Sequence, residues 1–296
     1  MTVAPIEPRA EDKAMAPTDW SLLLTISMIW GASFLFMAIA LEHFEPGLVT
    51  LARVGFGFLT LAFLPAARRG VRRDAWPRVV LLGVTWLALP MTLFPIAQQW
   101  IDSSMTGMLN SGMPIAAALI AWLGFGIPTG PRRLVGVAVG IVGIAIIGLP
   151  EASTAGTNAA GVILVLVAVT SYGFAASIAG PLQREFGSVP VIARALGVAT
   201  VLCLPFGVVD AASSSMAWSA VAACAAVGIG GTGIAYTVAA TLNGRVGAVR
   251  MSLVTYIIPI VSIVLGVVFR DETVTVWAMA GTVVVLSGAY LSSRVG

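Results

Sequence analysis

Arg53 has the clearest capacity for chemistry in this sequence, because it is a cation inside an otherwise apolar stretch of chain. A charge at the centre of a lipid-embedded helix costs roughly 2.5–3.5 kcal/mol, so the side chain should face the protein interior or reach back toward water. In the interior it would serve as a gate or as an anchor for a carboxylate. If the side chain reaches back toward water instead, Arg53 would pair with Glu42 or Glu45, just before the start of its helix. The sequence leaves both possibilities open.

The sequence contains few other residues of the kinds used in catalysis. One histidine, His43, and two cysteines, Cys203 and Cys224, are too few to predict a metal cluster. No apolar stretch contains a histidine that would activate Ser33 or Ser111 as a nucleophile. A phosphate-binding Gly-Lys-Thr loop is also missing, which argues against ATP as an energy source. We therefore expect no enzymatic activity, no metal and no cofactor.

Polar and aromatic side chains near the middle of several apolar stretches are candidates for lining a binding site. Tyrosine and tryptophan offer an apolar face and one hydrogen-bonding tip, which suits an amphipathic or aromatic solute. Packing inside the protein is the alternative role for each of them. The predicted binding residues are Trp30, Ser33, Trp86, Asn110, Ser111, Tyr172, Tyr236, Thr255 and Tyr256, with Arg53 as gate or charge anchor. We expect Trp30, Tyr172 and Tyr256 to line one shared cavity.

The elements that must position these residues are helices that cross a membrane. The chain is 58% hydrophobic and only 10% charged, whereas soluble domains are about 25% charged. Ten apolar stretches approach the length of about 20 residues that a spanning helix needs. They do not alternate apolar and polar residues as the strands of a membrane barrel do. The predicted helices are 19–41, 46–65, 78–99, 104–125, 132–149, 160–180, 189–209, 216–239, 246–269 and 275–293.

The two halves of the chain correspond to each other. A shift of 145 positions aligns Gly83 with Gly228, Pro114 with Pro259, Gly136 with Gly281 and Gly143 with Gly288, and a shift of 142 aligns Trp30-Gly31 with Tyr172-Gly173. Because each half has five helices, an odd number, the second half enters the membrane with the opposite orientation. Inverted repeats of this kind are typical of transporters that alternate between two access states. We predict an all-α integral membrane protein with a tail at 1–18 and five-helix repeats at 19–150 and 151–296.

Basic residues predict the orientation of the helices. Of the 16 Lys and Arg residues, 13 lie at the chain ends or in the even-numbered connections. Cytoplasmic loops carry such an excess of positive charge. Both termini are therefore expected in the cytoplasm, and the loop containing Glu151 outside. Short connections favour a bacterial inner membrane.

Several short motifs resemble those of a known family. They are Trp30-Gly31-Ala32-Ser33-Phe34, then Arg53, then the helix pair from Pro114 to Gly143, and in the second half Tyr256-Ile257-Ile258-Pro259 through Asp271-Glu272-Thr273 to Gly281 and Gly288. With these motifs the chain resembles the drug/metabolite transporter superfamily, in its ten-helix form with two EamA-type halves. The first half departs from the pattern, because Gly126-Ile127-Pro128-Thr129 lacks the acidic residue usual there. The resemblance implies export or exchange of small metabolites, with amino-acid exporters as well-represented relatives.

The energetics follow from a missing residue type. No helix interior contains Asp or Glu, and Asp19 only opens the first helix. A buried acid is the usual proton carrier and the usual counter-charge for a cationic drug. The sequence therefore favours a facilitator or uniporter for neutral or zwitterionic metabolites, most of all amino acids. The alternatives are a multidrug efflux protein and a non-transporting membrane interaction protein. The expected partners are a small-molecule substrate and the lipid bilayer, with no nucleic acid, and a monomer is favoured.

Overall fold

The computed structural model describes residues 15–154 and 156–293, and over these residues the chain forms ten helices. Eight are long and apolar enough to cross a membrane, and α2 and α9 are shorter apolar helices of 17 residues each. The helices are α1 Pro17–Leu41, α2 Pro46–Ala62, α3 Arg73–Ala97, α4 Ser103–Leu123, α5 Pro131–Thr154, α6 Gly156–Phe186, α7 Ser188–Ala211, α8 Trp218–Gly247, α9 Val254–Arg270 and α10 Val276–Ser293. An all-α membrane fold is confirmed.

Helix contacts have the symmetry of an inverted repeat. Helix α1 packs against α9, and correspondingly α6 packs against α4; α2 packs against α8, and α7 against α3. The pairs α2 with α7 and α5 with α10 each join a helix to its own counterpart. Advancing every helix number by five therefore maps the contacts of one half onto those of the other. The exact limits of the two repeats, and of the tail whose residues 1–14 lie outside the described part, stay predictions.

Repeat-related glycines allow the closest of these contacts. A Cβ added to Gly31 in α1 would lie 3.0 Å from the carbonyl oxygen of Ile258, and one added to Gly173 in α6 would lie 3.0 Å from that of Ala116. Substitution at either glycine would force backbone atoms apart. The predicted alignment of Trp30-Gly31 with Tyr172-Gly173 thus corresponds to two equivalent helix crossings, which fix the two aromatic residues beside them.

The seam between α5 and α10 is also built on glycines. An added Cβ on Gly136 would lie 2.7 Å from the carbonyl oxygen of Gly288, and one on Gly281 would lie 2.9 Å from that of Gly143. These two contacts exchange under the same shift of 145 positions that aligns the two halves of the sequence. Spacing of small residues along a helix allows this approach in membranes, where close packing rather than the hydrophobic effect holds helices together.

Polar contacts between connections define the two ends of the bundle. At the end that we call acidic, Arg270 pairs with Glu42, and the amide of Gly47 donates to Asp210 at 2.7 Å. The acidic residues there are Glu42, Glu45, Asp102, Asp210, Asp271 and Glu272. At the other end, which we call basic, the positive residues of the described part are Arg68, Arg69, Arg72, Arg73, Arg78, Arg132, Arg133, Arg184, Arg194, Arg245 and Arg250. Between the two ends the outer surface exposes mostly large apolar side chains, as contact with lipid requires.

Three helix predictions need correction. Helix α9 begins at Val254 rather than 246, because helical structure continues from α8 to Gly247, where φ is 80°. Helix α6 extends from Gly156 to Phe186, beyond the predicted 160–180. The span predicted at 104–125 corresponds to α4, which is interrupted at Ser111-Gly112, just before Pro114. A hydropathy pattern predicts only the length of an apolar segment, so it does not predict an interruption inside a helix or the continuation of a helix beyond the apolar segment.

Candidate functional site

Six aromatic side chains from the central helices α1, α3, α6 and α8 form two neighbouring groups of contacting rings between the halves. The rings of Trp30 and Tyr236 make an edge contact with centroids 5.7 Å apart, and Trp86 contacts Tyr236 in the same way at 5.4 Å. On the other side, Phe94 lies 5.8 Å from Tyr172 and 5.7 Å from Phe34. We call these six residues the aromatic cluster: Trp30, Phe34, Trp86, Phe94, Tyr172 and Tyr236. Four of them were predicted.

Widened π-helical turns position part of this cluster. They occur at Gly83–Ala88 in α3 and Ala226–Ile234 in α8, which are equivalent places in the two halves. Carbonyl groups in both turns accept side-chain hydrogen bonds from the neighbouring central helix. The indole Nε1 of Trp30 donates to Gly231 at 2.9 Å, and the Ser171 hydroxyl donates to Thr85 at 2.6 Å. Turns of this type are frequent at functional sites.

Arg53 points into the bundle beside the aromatic cluster. Its Nε donates to the Thr232 hydroxyl at 3.4 Å, and its Nη1 donates to the sulfur of Met37 at 3.2 Å. The side chain is buried and lies near Tyr172 and Tyr236. Within the described residues it forms no ion pair. The alternative in which Arg53 pairs with Glu42 or Glu45 is absent, since Glu42 pairs with Arg270 instead.

The acceptors around Arg53 are weak. A thioether sulfur accepts hydrogen bonds poorly, and a single long bond to a hydroxyl does little to replace the hydration of a guanidinium. A buried cation normally has a charged partner or several strong acceptors. Arg53 has neither among the described residues, so the site retains the capacity to bind an anionic group.

Two amide side chains, those of Gln98 and Asn110, supply hydrogen-bond acceptors, whereas Arg53 supplies donors. Gln98, at the end of α3, donates through Nε2 to the carbonyl of Phe34 at 3.2 Å, and its Oε1 is buried without a donor. Asn110 in α4 is only 8% exposed, and its Oδ1 also lacks a donor. One turn before it, Gly107 packs closely on Phe34 and Ser262. Unsatisfied buried acceptors are costly, which makes both oxygens suitable for binding a donor such as an ammonium group.

The remaining predicted residues are distributed differently. Ser33 is buried, donates to Ile29 at 2.9 Å and touches Gly231 beside Trp30. Ser111 lies in the break of α4 and donates to Met108. Thr255 donates to the carbonyl of Ser252 within its own helix turn. The structure therefore places Ser33 at the aromatic cluster, whereas the Ser111 and Thr255 hydroxyls satisfy nearby backbone carbonyls.

Tyr256 does not join Trp30 and Tyr172. It packs against a separate apolar group formed by Ile115, Ala118, Val137 and Ala289 of α4, α5 and α10. Apolar residues cover every face of these helices, so the sequence pattern could not tell on which side Tyr256 would lie.

Two cavities also lie apart from the aromatic cluster. One of about 90 Å³ is lined by residues such as Trp100 and Asn158, and one of about 290 Å³ lies at the basic end.

Two carboxylates bridge the halves at opposite ends of the bundle. Asp19, buried in the first turn of α1, accepts from the amide of Ala16 at 3.0 Å and lies 2.9 Å from Nε of Arg245. Glu272 accepts from the amides of Ser103 and Ser104 at 3.0 and 2.8 Å, and from the Ser103 hydroxyl at 2.6 Å. Glu272 thus caps α4 from another part of the chain. Each acid is engaged in a contact between the two halves.

Sequence reasoning missed Phe34, Phe94, Gln98 and Thr232 as members of this region. Phe34 was quoted within a motif, but its contact with Gln98 depends on how α1 and α3 pack. The adjacent polar residues Gln98-Gln99 at the end of an apolar stretch were the one signal that could have been used. The described residues contain no group of His, Cys, Asp and Glu that could hold a metal, and both cysteines are buried and unpaired.

Comparison with known proteins agrees with this architecture. The profile of the EamA-like transporter family matches twice, at residues 20–149 and 159–294. The chain is 23% identical to the uncharacterized transporter YvbV of Bacillus subtilis, over 94% of this chain and 93% of that protein. It is 24% identical to a probable terminal-alkyne amino-acid exporter of Streptantibioticus cattleyicolor, over 93% of each chain.

Two further similarities cover nearly the whole chain. A probable amino-acid metabolite efflux pump of Salmonella typhimurium is 25% identical, over 94% of this chain and 95% of that protein. A solved structure described only as "Crystal structure of protein" superposes with a TM-score of 0.66 at 18% identity, covering 93% of this chain and 97% of that one. That likeness supports the fold alone.

Proposed function

The chain belongs to the EamA-like transporter family, and from this premise we propose that it exports small neutral or zwitterionic metabolites, chiefly amino acids and aromatic ones among them. Family membership makes it a multi-pass membrane transporter and not an enzyme. The substrate class is our proposal. Two of the relatives are named as an amino-acid exporter and an amino-acid metabolite efflux pump, which supports the same class here.

The observation that carries the proposal is the buried guanidinium of Arg53 beside the aromatic cluster. Its acceptors are a thioether and one hydroxyl, so a substrate carboxylate would be a far better partner. Arginine binds carboxylates with two parallel hydrogen bonds. Tyr172 and Tyr236 lie near the same guanidinium and offer ring faces to the apolar part of the solute. The group that completes this site is thus an anion attached to an apolar body.

The acceptor oxygens of Gln98 and Asn110 extend this argument to zwitterions. Both oxygens are buried without donors, and an ammonium group supplies three donors. Both amides also lie near α1, through the Phe34 carbonyl and through the packing of Gly107 on Phe34. A solute with both charges would satisfy Arg53 and at least one amide. A cationic drug would meet Arg53 with like charge, which counts against the multidrug alternative.

We propose alternating access between the two halves as the transport mechanism. The break of α4 at Ser111-Gly112 and the π turns of α3 and α8 interrupt regular helices close to the site. Such interruptions are where helices bend. We further propose uniport, because Asp19 and Glu272 are both engaged in contacts between the halves and neither makes a hydrogen bond or an ion pair with the aromatic cluster.

We place the protein in a bacterial inner membrane with the basic end in the cytoplasm, as a monomer. Among the described residues, eleven arginines lie at that end and Arg270 at the other, and this difference supports the orientation. Single-cysteine variants at Arg132 and at Asp271 test it in intact cells with a membrane-impermeant thiol reagent. Position 271 should be labelled and position 132 protected. The opposite pattern would reverse the orientation.

Counterflow in proteoliposomes tests the function. Vesicles loaded with unlabelled phenylalanine should take up labelled phenylalanine transiently, whereas protein-free vesicles should not. A panel of neutral, acidic and basic amino acids ranks substrates, and an imposed pH gradient tests coupling, with equal flux expected in its presence and absence. Efflux of a cationic dye without amino-acid counterflow would support multidrug efflux. If neither occurs, a non-transporting interaction protein would be the better description.

A further inference from the structure

A cavity of about 290 Å³ opens at the basic end, between α2, α7 and the connection that follows α2. Its lining is mostly apolar, with Phe58 and Ala62 from α2 and Ala193 from α7. Trp76 and two cations, Arg68 and Arg194, complete it. The cavity therefore combines an apolar floor with a positively charged rim. It is separate from the aromatic cluster and has no part in the proposed substrate site.

The charge of the rim is not neutralised. The side chain of Arg68 is exposed and makes no hydrogen bond or ion pair with any described residue. Arg194 is held by backbone carbonyls: Nη1 donates to Ala67 and Pro190 at 3.0 Å, and Nη2 donates to Arg69 at 2.6 Å. Those carbonyls orient the guanidinium but carry no formal negative charge. Both cations thus remain available to an anion.

The connection around the cavity adds further positive charge. Residues 68–78 contain Arg68, Arg69, Arg72, Arg73 and Arg78 but only one acid, Asp74. The available carboxylates are used by a single arginine, since Arg72 lies 3.0 Å from both Asp74 and Glu185. An anion arriving at this surface would therefore meet a field of one sign.

The residues around the cavity are of the kinds found where lipid headgroups meet acyl chains. Leu59 of α2 is 50% exposed, and Phe63, the residue after α2, is 77% exposed, as expected of side chains in contact with lipid. Trp76, which lines the cavity, is 39% exposed. Tryptophan is enriched at membrane interfaces because its ring is apolar and its N–H is polar. A molecule with an anionic head and an apolar chain matches this sequence of environments.

We propose that this cavity binds an acidic phospholipid, whose phosphate pairs with Arg68 and Arg194 while an acyl chain lies against Phe58, Ala62 and Ala193. Basic cavities between helices are a known form of acidic-lipid recognition. A free phosphate would use the two arginines but leave the apolar floor unfilled, so we commit to the lipid. Because the cavity is formed jointly by α2 and α7, which are repeat partners, the bound lipid would brace the contact between the two halves.

Lipid retention and thermal unfolding of the purified protein test the proposal. Phosphatidylglycerol added to the detergent solution should raise the unfolding temperature, and native mass spectrometry should detect its retention. Phosphatidylcholine should do neither. In Arg68→Gln, retention should fall about fivefold, the size expected from losing one cationic contact near a membrane surface. Arg68 has no partner to lose within the described residues, so the variant should fold normally.

Arg132→Gln is the matched control, since it makes the same charge change at the same end and does not line the cavity. It should retain phosphatidylglycerol like the wild type. Ala62→Phe, which fills the apolar floor, should also reduce retention while leaving the charge unchanged. Equal losses in Arg68→Gln and Arg132→Gln would mean diffuse attraction and overturn the site. So would stabilisation by inorganic phosphate alone, or equal stabilisation by phosphatidylcholine.

Discussion

Arg53 is the eighth residue of α2 and Arg194 the seventh residue of α7, the corresponding helix of the other half, yet their surroundings differ. Arg53 is buried near the aromatic cluster with a sulfur atom and a hydroxyl as acceptors. Arg194 donates to three backbone carbonyls at the basic end. Carbonyls of a fixed connection keep Arg194 in one place, whereas the acceptors of Arg53 leave most of its hydrogen-bonding capacity unused. One repeat thus fixes its arginine with three backbone carbonyls at the end of the bundle, and the other leaves its arginine with weak acceptors in the interior.

The capping of α4 shows a second difference between the halves. Asp271 and Gly126 both adopt positive φ, 52° and 62°, so the turn after α9 keeps the geometry of the turn after α4. The following residue is Glu272 in one half and Ile127 in the other. Glu272 holds the start of α4 at the acidic end, whereas the apolar side chain of Ile127 cannot accept a hydrogen bond. The same backbone turn is therefore a clasp at the acidic end only.

Replacing Arg53 should have the largest effect. We expect Arg53→Gln to reduce counterflow of zwitterionic amino acids at least about tenfold, since a charge-assisted hydrogen bond contributes roughly 1.5–3 kcal/mol. The unfolding temperature of the variant should not fall, because the substitution removes a buried charge that has no charged partner among the described residues. The matched substrate is the corresponding amino-acid amide, which lacks the carboxylate. If Arg53→Gln lowers transport of the amide by the same factor as transport of the amino acid, Arg53 does not bind the carboxylate.

Replacing Arg194 should produce the opposite pattern. Arg194→Gln leaves the carbonyls of Ala67, Pro190 and Arg69 without this donor, at a cost of roughly 1–3 kcal/mol in stability. We expect a lower unfolding temperature and nearly unchanged counterflow per folded molecule. Thermal unfolding and counterflow on the same preparation measure both. A variant that stays stable but no longer transports would remove the contrast between the two arginines.

Removing the clasp should have a smaller effect, confined to the acidic end. Glu272→Ala deprives α4 of its cap, which costs about 0.5–2 kcal/mol, and should loosen that end of the bundle. A cysteine at Ser104, where the native side chain is 2% exposed, should then react several times faster with a polar thiol reagent. The control is Ile127→Ala at the equivalent turn, combined with the same cysteine. Equal acceleration in both variants would mean general loosening rather than a clasp.

The smallest effect is expected for the repeat partners Trp30 and Tyr172. Trp30→Phe removes the hydrogen bond to Gly231 and should cost about 0.5–1.5 kcal/mol in stability. Tyr172→Phe removes a hydroxyl for which no hydrogen bond occurs within the described residues, so its unfolding temperature should match the wild type. Thermal unfolding compares the two. Equal destabilisation would show that the hydrogen bond to the π turn contributes nothing particular.

Much of the architecture could be predicted from single residues. The alignment of Gly31 with Gly173, and of Gly136 with Gly281, corresponds to equivalent helix contacts, because a glycine at a close crossing leaves little choice of residue. Of the predicted site residues, Trp30, Trp86 and Tyr236 share ring contacts, and Tyr172 lies in the neighbouring group of rings. Tyr256 was grouped with them wrongly, and the Glu272 clasp was not foreseen, because both depend on which helices become neighbours.

The sequence by itself determined the membrane class, the number of apolar helices and their twofold repeat, because helix length and hydropathy are local properties set against a bilayer of fixed thickness. The charge asymmetry between connections is likewise local. Only the tertiary structure decided which side of each helix faces the interior. Lipid is as apolar as a protein core, so a helix that is apolar on every face carries no mark of its inward side. For that reason the contrast between Arg53 and Arg194 emerged only when the helices were packed.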